Sequence, residues 1–225
     1  MRDLPPTRLH IESREITQVK RALLWLSIAT EEWVLTSTTW FGLQKNHDWL
    51  YGADHLGVRW DCIIVIDETS DEDGGACPEF DAEFDGKTFP ARLEAISGMR
   101  LVQGEGGAFH AHYGKELLDL EKNIVVLGDW IDDTHIMMRW SAEYYRDERR
   151  RQKIPFLFEG PVVFDGISMS VKKEEDAAPF LSRVLPALDT SQLEMVWGPE
   201  FLHDEEGYAP DRRRWREVSW RRKPA

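Results

Sequence analysis

The sequence predicts an α+β fold: mainly antiparallel sheet, with hairpins and three or four helices. Three observations predict it. Runs such as Trp60-Asp61-Cys62-Ile63-Ile64-Val65-Ile66 are apolar and β-branched. Asp-Gly pairs sit between short apolar runs, and a few stretches carry helical spacing or dense charge.

Taken in order, Ile16, Val19, Leu23 and Leu26 stand at helical spacing behind Ser13, a candidate N-cap, and predict an amphipathic helix from Arg14 to about Ile28. Trp33 to Phe41, rich in Thr and Trp, predicts a strand, and Val58 to Ile66 a central one. Asp85-Gly86 lies between Phe80–Phe84 and Lys87–Phe89; Asp165-Gly166 lies between Pro161–Phe164 and Ile167–Val171. Both predict tight hairpins, because Asp-Gly tolerates the positive φ of a two-residue turn. Pro90 is expected to end the first, since it cannot donate to a ladder.

Ile124–Leu127 and His135–Trp140 predict two further strands, and Ser141–Lys153 a polar, Arg-rich helix. Asp176–Leu188 predicts a helix with Pro179 in its first turn. Leu193–Trp197 and Trp215–Trp220 complete the strands. No fixed-period repeat or low-complexity linker divides the chain, so 1–225 reads as one domain, with the one candidate boundary near Lys153-Ile154-Pro155.

Composition bounds the function classes. Of 225 residues, 42% are hydrophobic and ten are Trp, enough for a packed core and against wholesale disorder. A net charge of -13 disfavours a general nucleic-acid or anionic-membrane binder, which needs a positive contact field. Two cysteines, Cys62 and Cys77, do not make a disulfide scaffold. Met1 to Pro6 is not followed by an apolar run, and Ala22–Ala29 is too short to span a bilayer, so a cytoplasmic protein without membrane association is expected. No phosphate loop, dinucleotide fingerprint or nucleophile-elbow serine is present, so no cofactor and no catalytic residue are assigned.

Three constellations could still carry chemistry. Ile124-Val125-Val126-Leu127-Gly128-Asp129-Trp130-Ile131-Asp132-Asp133 is an apolar run delivering Gly-Asp-x-x-Asp. Over about ten residues it resembles the second metal-binding block of calcineurin-like metallophosphoesterases, which implies Asp129 as a metal ligand. The family's Asp-x-His and Gly-Asn-His blocks are missing. The second constellation is His110-Ala111-His112: alternation on a strand points both rings to one face, as in sites that take two imidazoles from one strand, with Asp129, Asp132 or His135 as further ligands. A metal-dependent hydrolase built on His110, His112, Asp129, Asp132 and His135 is therefore the alternative reading. The third, Asp81-Ala82-Glu83-Phe84-Asp85-Gly86, mimics a calcium-loop opening, but Arg92 stands where a bidentate Glu is needed.

Charge patterning is the most unusual feature. Asp61 to Asp85 holds ten acidic residues and no Lys or Arg, whereas Arg212 to Lys223 holds seven basic residues against Glu217. A second basic cluster comprises Arg146, Arg149, Arg150, Arg151 and Lys153. Acidic segment and basic tail could brace one another within the fold, each ion pair contributing about 0–1 kcal/mol. Alternatively, Asp67, Glu68, Asp71, Glu72, Asp73, Glu79, Asp81, Glu83 and Asp85 form a surface that steers and holds a basic protein. In acidity, size and Trp content the chain resembles small acidic cytosolic proteins of bacterial immunity systems, which neutralise a basic toxin by occupying its phosphate-binding cleft. The leading expectation is thus a non-enzymatic binding or inhibitory protein with a basic partner. Nucleic acid is disfavoured, with the Arg/Trp tail its one candidate contact.

Overall fold

The computed structural model describes residues 4–11, 14–16, 19–29, 57–66, 77–102, 108–113, 116–145, 152–171, 177–202 and 214–223. Strands dominate. They are β1 (Arg8–Ile11), β2 (Arg14–Ile16), β3 (Val19–Ala29), β4 (Gly57–Ile66), β5 (Cys77–Phe84), β6 (Arg100–Val102) and β7 (Ala108–Tyr113), then β8 (Glu116–Asp119), β9 (Glu121–Trp130), β10 (His135–Tyr145), β11 (Lys153–Val171), β12 (Leu193–Leu202) and β13 (Arg214–Arg222). Among the described residues there is one α-helix, α1 (Ala177–Val184), with short 3₁₀ turns at Gly86–Thr88, Leu93–Ile96 and Thr190–Gln192. The expected α+β fold with three or four helices is therefore corrected: this is a mostly-β chain built on one curled, mixed sheet.

The main path runs β6-β9-β10-β11-β3-β4-β5-β7-β8, with β1, β2, β12 and β13 attached off it. Among the described residues all pairings are antiparallel except β3 with β11, which is parallel. Curling is visible in the side chains. Phe80 on β5 and Trp140 on β10 have ring centroids 5.1 Å apart, although β4, β3 and β11 lie between their strands. A flat sheet would separate those strands by about 19 Å at 4.8 Å per step. Leu120 alone joins β8 to β9, so the chain itself brings the two ends of the path together.

The interior is filled. Leu24, Leu26, Trp60, Ile64, Phe80, Leu127, Met138, Trp140, Phe156 and Phe158 are buried at alternate strand positions. At one end Phe89, Leu93 and Ile96, from the segment after β5, and Leu181, Val184 and Leu185, from and just after α1, belong to the same core. Gly86 is required there: a Cβ would lie 2.2 Å from the Val184 carbonyl oxygen.

Several expectations need correcting. The described residues of Arg14–Ile28 are strand and not helix: they form β2 and β3, with Ala22, Leu24, Leu26 and Ile28 buried at period two. Ser141–Tyr145 continues β10 with Ala142 and Tyr144 buried, and Lys153 opens β11, so the described part of the expected Ser141–Lys153 helix is strand. Lys153–Pro155 lie inside the β10–β11 pairing. Asp85-Gly86 starts a 3₁₀ turn, with the Asp85 carboxylate accepting from Lys87 N at 3.0 Å, and makes no hairpin. Asp165-Gly166 falls within the continuous β11, at a register shift between Phe164 and Gly166. There Gly166 has φ +104. On one side β11 exchanges β10 for β13, and on the other β1 for β3. The helix expected over Asp176–Leu188 is present as α1. Trp33–Phe41 lies outside the described residues.

Candidate functional site

The described acidic positions of β4 and β5, 61, 79, 81 and 83, lie on the outer face of the sheet. On β5, Phe80 and Ala82 are buried, so positions 79, 81 and 83 belong to the opposite, outer face. Their register extends that face across β4 and β3: Glu83 stands opposite Arg59, Asp81 opposite Asp61, and Glu79 opposite Ile63. Arg59, Asp61 and Ile63 in turn face Ser27, Trp25 and Leu23, and Leu23 pairs with Val163 of β11. Val163, Leu23, Trp25 and Ile63 thus occupy outer positions on β11, β3 and β4, Arg59 and Asp61 bring charge onto β4, and β5 is acidic at 79, 81 and 83.

Asp61 is the unusual member, because it is only 7% exposed on an outer-face position. A carboxylate so shielded needs a counter-charge, and Arg59 Nε lies 3.0 Å from its Oδ1. On the inner face, burial, with the Asp61 carboxylate next along the chain, pushes the Cys62 thiol well up. Cys62 is a free, inert core thiol. Asp85 is exposed at the end of β5, while Asp67, Glu68, Asp71, Glu72 and Asp73 lie outside the described residues.

The basic tail meets other partners. β13 is flanked by β11 and β12. Arg221 pairs with Asp165 at 3.1 Å, and Lys223 Nζ donates to the Ser191 carbonyl at 2.7 Å. Arg216 stacks on Trp197 at 5.0 Å. Arg222 Nη2 meets Glu94 at 2.8 Å, its Nη1 donates to the Asp133 carbonyl at 3.2 Å, and its guanidinium lies 4.7 Å from the Trp130 ring centroid. Of the second basic cluster, Lys153 meets Glu143, which also receives Lys122 at 2.9 Å; Arg146, Arg149, Arg150 and Arg151 lie outside the described residues.

The residues of the hydrolase reading are distributed over two places. Asp129 is the penultimate residue of β9 and its Oδ1 accepts from Ser97 Oγ at 3.0 Å. Asp132 and His135 come together in the turn from β9 to β10, with His135 Nδ1 2.9 Å from Asp132 Oδ2. That carboxylate also accepts from the backbone N–H groups of Thr134 at 2.8 Å and His135 at 2.7 Å. Partial burial raises its pKa, but these hydrogen bonds outweigh burial and hold it at about 2. The carboxylate is thus occupied in shaping its own turn. Among the described residues no group of three or more His, Cys, Asp or Glu is gathered as a metal site.

His110 and His112 lie on β7, as alternation predicts, but on another part of the sheet. His110 pairs with Glu79 and Asp119, and Asp119 stands just before β9, whereas Asp129 is near its far end.

Sequence reasoning missed two clusters. One is the Arg222–Glu94–Trp130 clasp. The other is fully buried Asn123, whose Oδ1 accepts from Trp140 Nε1 at 2.8 Å. Only the Asp132 turn had a readable signal, since Asp two residues before Thr is a common side-chain-capped turn. No described helix is long and apolar enough to cross a membrane. No family model, curated protein or solved structure matches the chain.

Proposed function

We propose that this chain is a binding protein whose outer β4–β5 face engages a basic protein partner. The observation that carries this reading is the cross-strand register: Asp61 opposite Asp81, with Glu79 and Glu83 at the flanking outer positions of β5. Neighbouring strands lie about 4.8 Å apart, so acidic residues at these positions concentrate negative charge on one face. Arg59 meets Asp61 from within the chain, and one cation against four carboxylates leaves the face net acidic, which suits a partner's Lys and Arg. The contacts of Arg221, Arg222 and Lys223 with Asp165, Glu94 and Ser191 support the reading further, because they engage those tail cations elsewhere. Inhibition is the natural consequence of such a face, since an acidic surface seated in a basic cleft blocks that cleft to polyanions.

The test compares two charge reversals of equal size. Asp81→Lys/Glu83→Lys changes the proposed face; Glu194→Lys/Glu217→Lys changes exposed positions on β12 and β13. Titration calorimetry with an arginine-rich peptide, at low and physiological salt, should show about tenfold weaker binding for the first pair, or 1.4 kcal/mol. The second pair should change affinity by less than about threefold. Equal losses would mean that net charge alone acts, and the reading fails.

A further inference from the structure

The two histidines on β7 acquire new neighbours in the fold, and these belong to metal chemistry. Cys77 stands in register with His112, and Glu79 with His110, on adjacent antiparallel strands. Phe80 on β5 alternates inward and pairs with Phe109, so positions 77 and 79 share one face with 110 and 112. The four backbone positions form a rectangle about 5 Å across the strands and about 7 Å along them. On the third strand Asp119 is the register partner of His110. Cys62, the one other cysteine, is a buried free thiol, so Cys77 forms no disulfide with it.

We propose that Cys77, Glu79, His110 and His112 form a binding site for a divalent cation of the zinc class. A thiolate, a carboxylate and two imidazoles are a donor set that zinc takes in tetrahedral geometry, and the register brings these four residues to adjacent positions on one face of two neighbouring strands. Asp119, the register partner of His110 on the next strand, is assigned as the positioning residue, since carboxylates commonly serve ligating imidazoles in that role. Binding releases the Cys77 thiol proton and requires both imidazoles neutral, so affinity falls as the medium is acidified. The set excludes Asp129, Asp132 and His135; it shares Glu79 with the partner-binding face, but its tests act on Cys77, His110, His112 and Asp119, which that reading does not use.

The full-length chain, stripped with a chelator, is titrated with Zn²⁺ in competition with a chromophoric chelator, and separately with Co²⁺. One ion per chain is expected, with Co²⁺ giving the intense d–d bands of a tetrahedral site and a thiolate charge-transfer band. Cys77→Ser abolishes the charge-transfer band; His110→Ala and His112→Ala each weaken Zn²⁺ by about 100-fold or more; Asp119→Asn weakens it about 10- to 100-fold. Cys62→Ser and His135→Ala change nothing. Thermal midpoints read with and without Zn²⁺ guard against misfolding: the ion raises the midpoint of the parent and of His135→Ala, but not of His110→Ala. No saturable Zn²⁺ binding in the micromolar range overturns the proposal, as does binding unaffected by the two histidine variants.

Discussion

Replacing Asn123 with alanine isolates what one polar contact contributes to a filled β core. Asn123 is fully buried; its Oδ1 accepts from Trp140 Nε1 at 2.8 Å and its Nδ2 donates to the Leu120 carbonyl at 2.7 Å. Trp140 in turn packs edge-on against Phe80 and Phe156, with centroids 5.1 and 4.6 Å away. The residue therefore ties the β8–β9 junction to the centre of the core. Alanine removes both hydrogen bonds, and a buried group deprived of its partner costs about 1–3 kcal/mol. Two such losses, partly recovered by neighbours, come to about 2–4 kcal/mol. In a chain of this length each kcal/mol moves the thermal midpoint by about 2–4 °C, so a fall of about 5–15 °C is expected. Urea unfolding followed by tryptophan fluorescence and far-UV circular dichroism measures the free energy. Trp140→Phe removes the indole donor but keeps a ring, so Asn123→Ala/Trp140→Phe should cost about 1–2 kcal/mol less than the two singles summed. A single variant within about 0.5 kcal/mol of the parent, or strictly additive singles, refutes the reasoning.

Gly166→Ala should cost about 2 kcal/mol or more, since φ is +104 and the new Cβ would lie 2.3 Å from the Trp220 carbonyl oxygen. Gly98→Ala, at φ +84 but in open space, should cost about 1 kcal/mol in the same urea assay. Arg222→Ala should lose about 1–2 kcal/mol by breaking the contacts to Glu94, Asp133 and Trp130, and Arg222→Lys should recover under half of it, since an ammonium lacks the planar fork. The Asp132 carboxylate, held at about 2 when folded and near 3.9 when unfolded, contributes stability that is present above pH 4 and lost as pH falls towards 2. Asp132→Asn should therefore be less stable than the parent at pH 6, with the gap shrinking between pH 4 and 2.

What was legible in the sequence, and what was not, follows from shared residue chemistry. β4 was plain because Cys62-Ile63-Ile64-Val65-Ile66 is apolar and largely β-branched, a composition that fits a two-sided strand. β3 is predicted as a helix because Val-Lys-Arg-Ala-Leu-Leu-Trp-Leu is rich in helix formers and apolar at both faces, so Val19, Leu23 and Leu26 fit a 3.6-residue period as well as Leu24, Leu26 and Ile28 fit a period of two. Tertiary pairing with β4 and β11 decided the matter. Asp165-Gly166 carried a true backbone signal with the wrong interpretation. A bulge in a long strand needs the positive-φ glycine that a hairpin needs, and the sequence does not say which. The alternation of His110 and His112, and of Glu79, Asp81 and Glu83, was visible. Their strand partners were not, because Cys77, Asp61 and Asp119 become neighbours only through register.

The most direct test of the central claim is the paired charge reversal, titrated with an arginine-rich peptide at two salt concentrations. Reversal at Asp81 and Glu83 should weaken binding about tenfold and flatten its salt dependence, while the same change at Glu194 and Glu217 leaves both nearly intact. Identical behaviour of the two variants would contradict a binding face on β4 and β5.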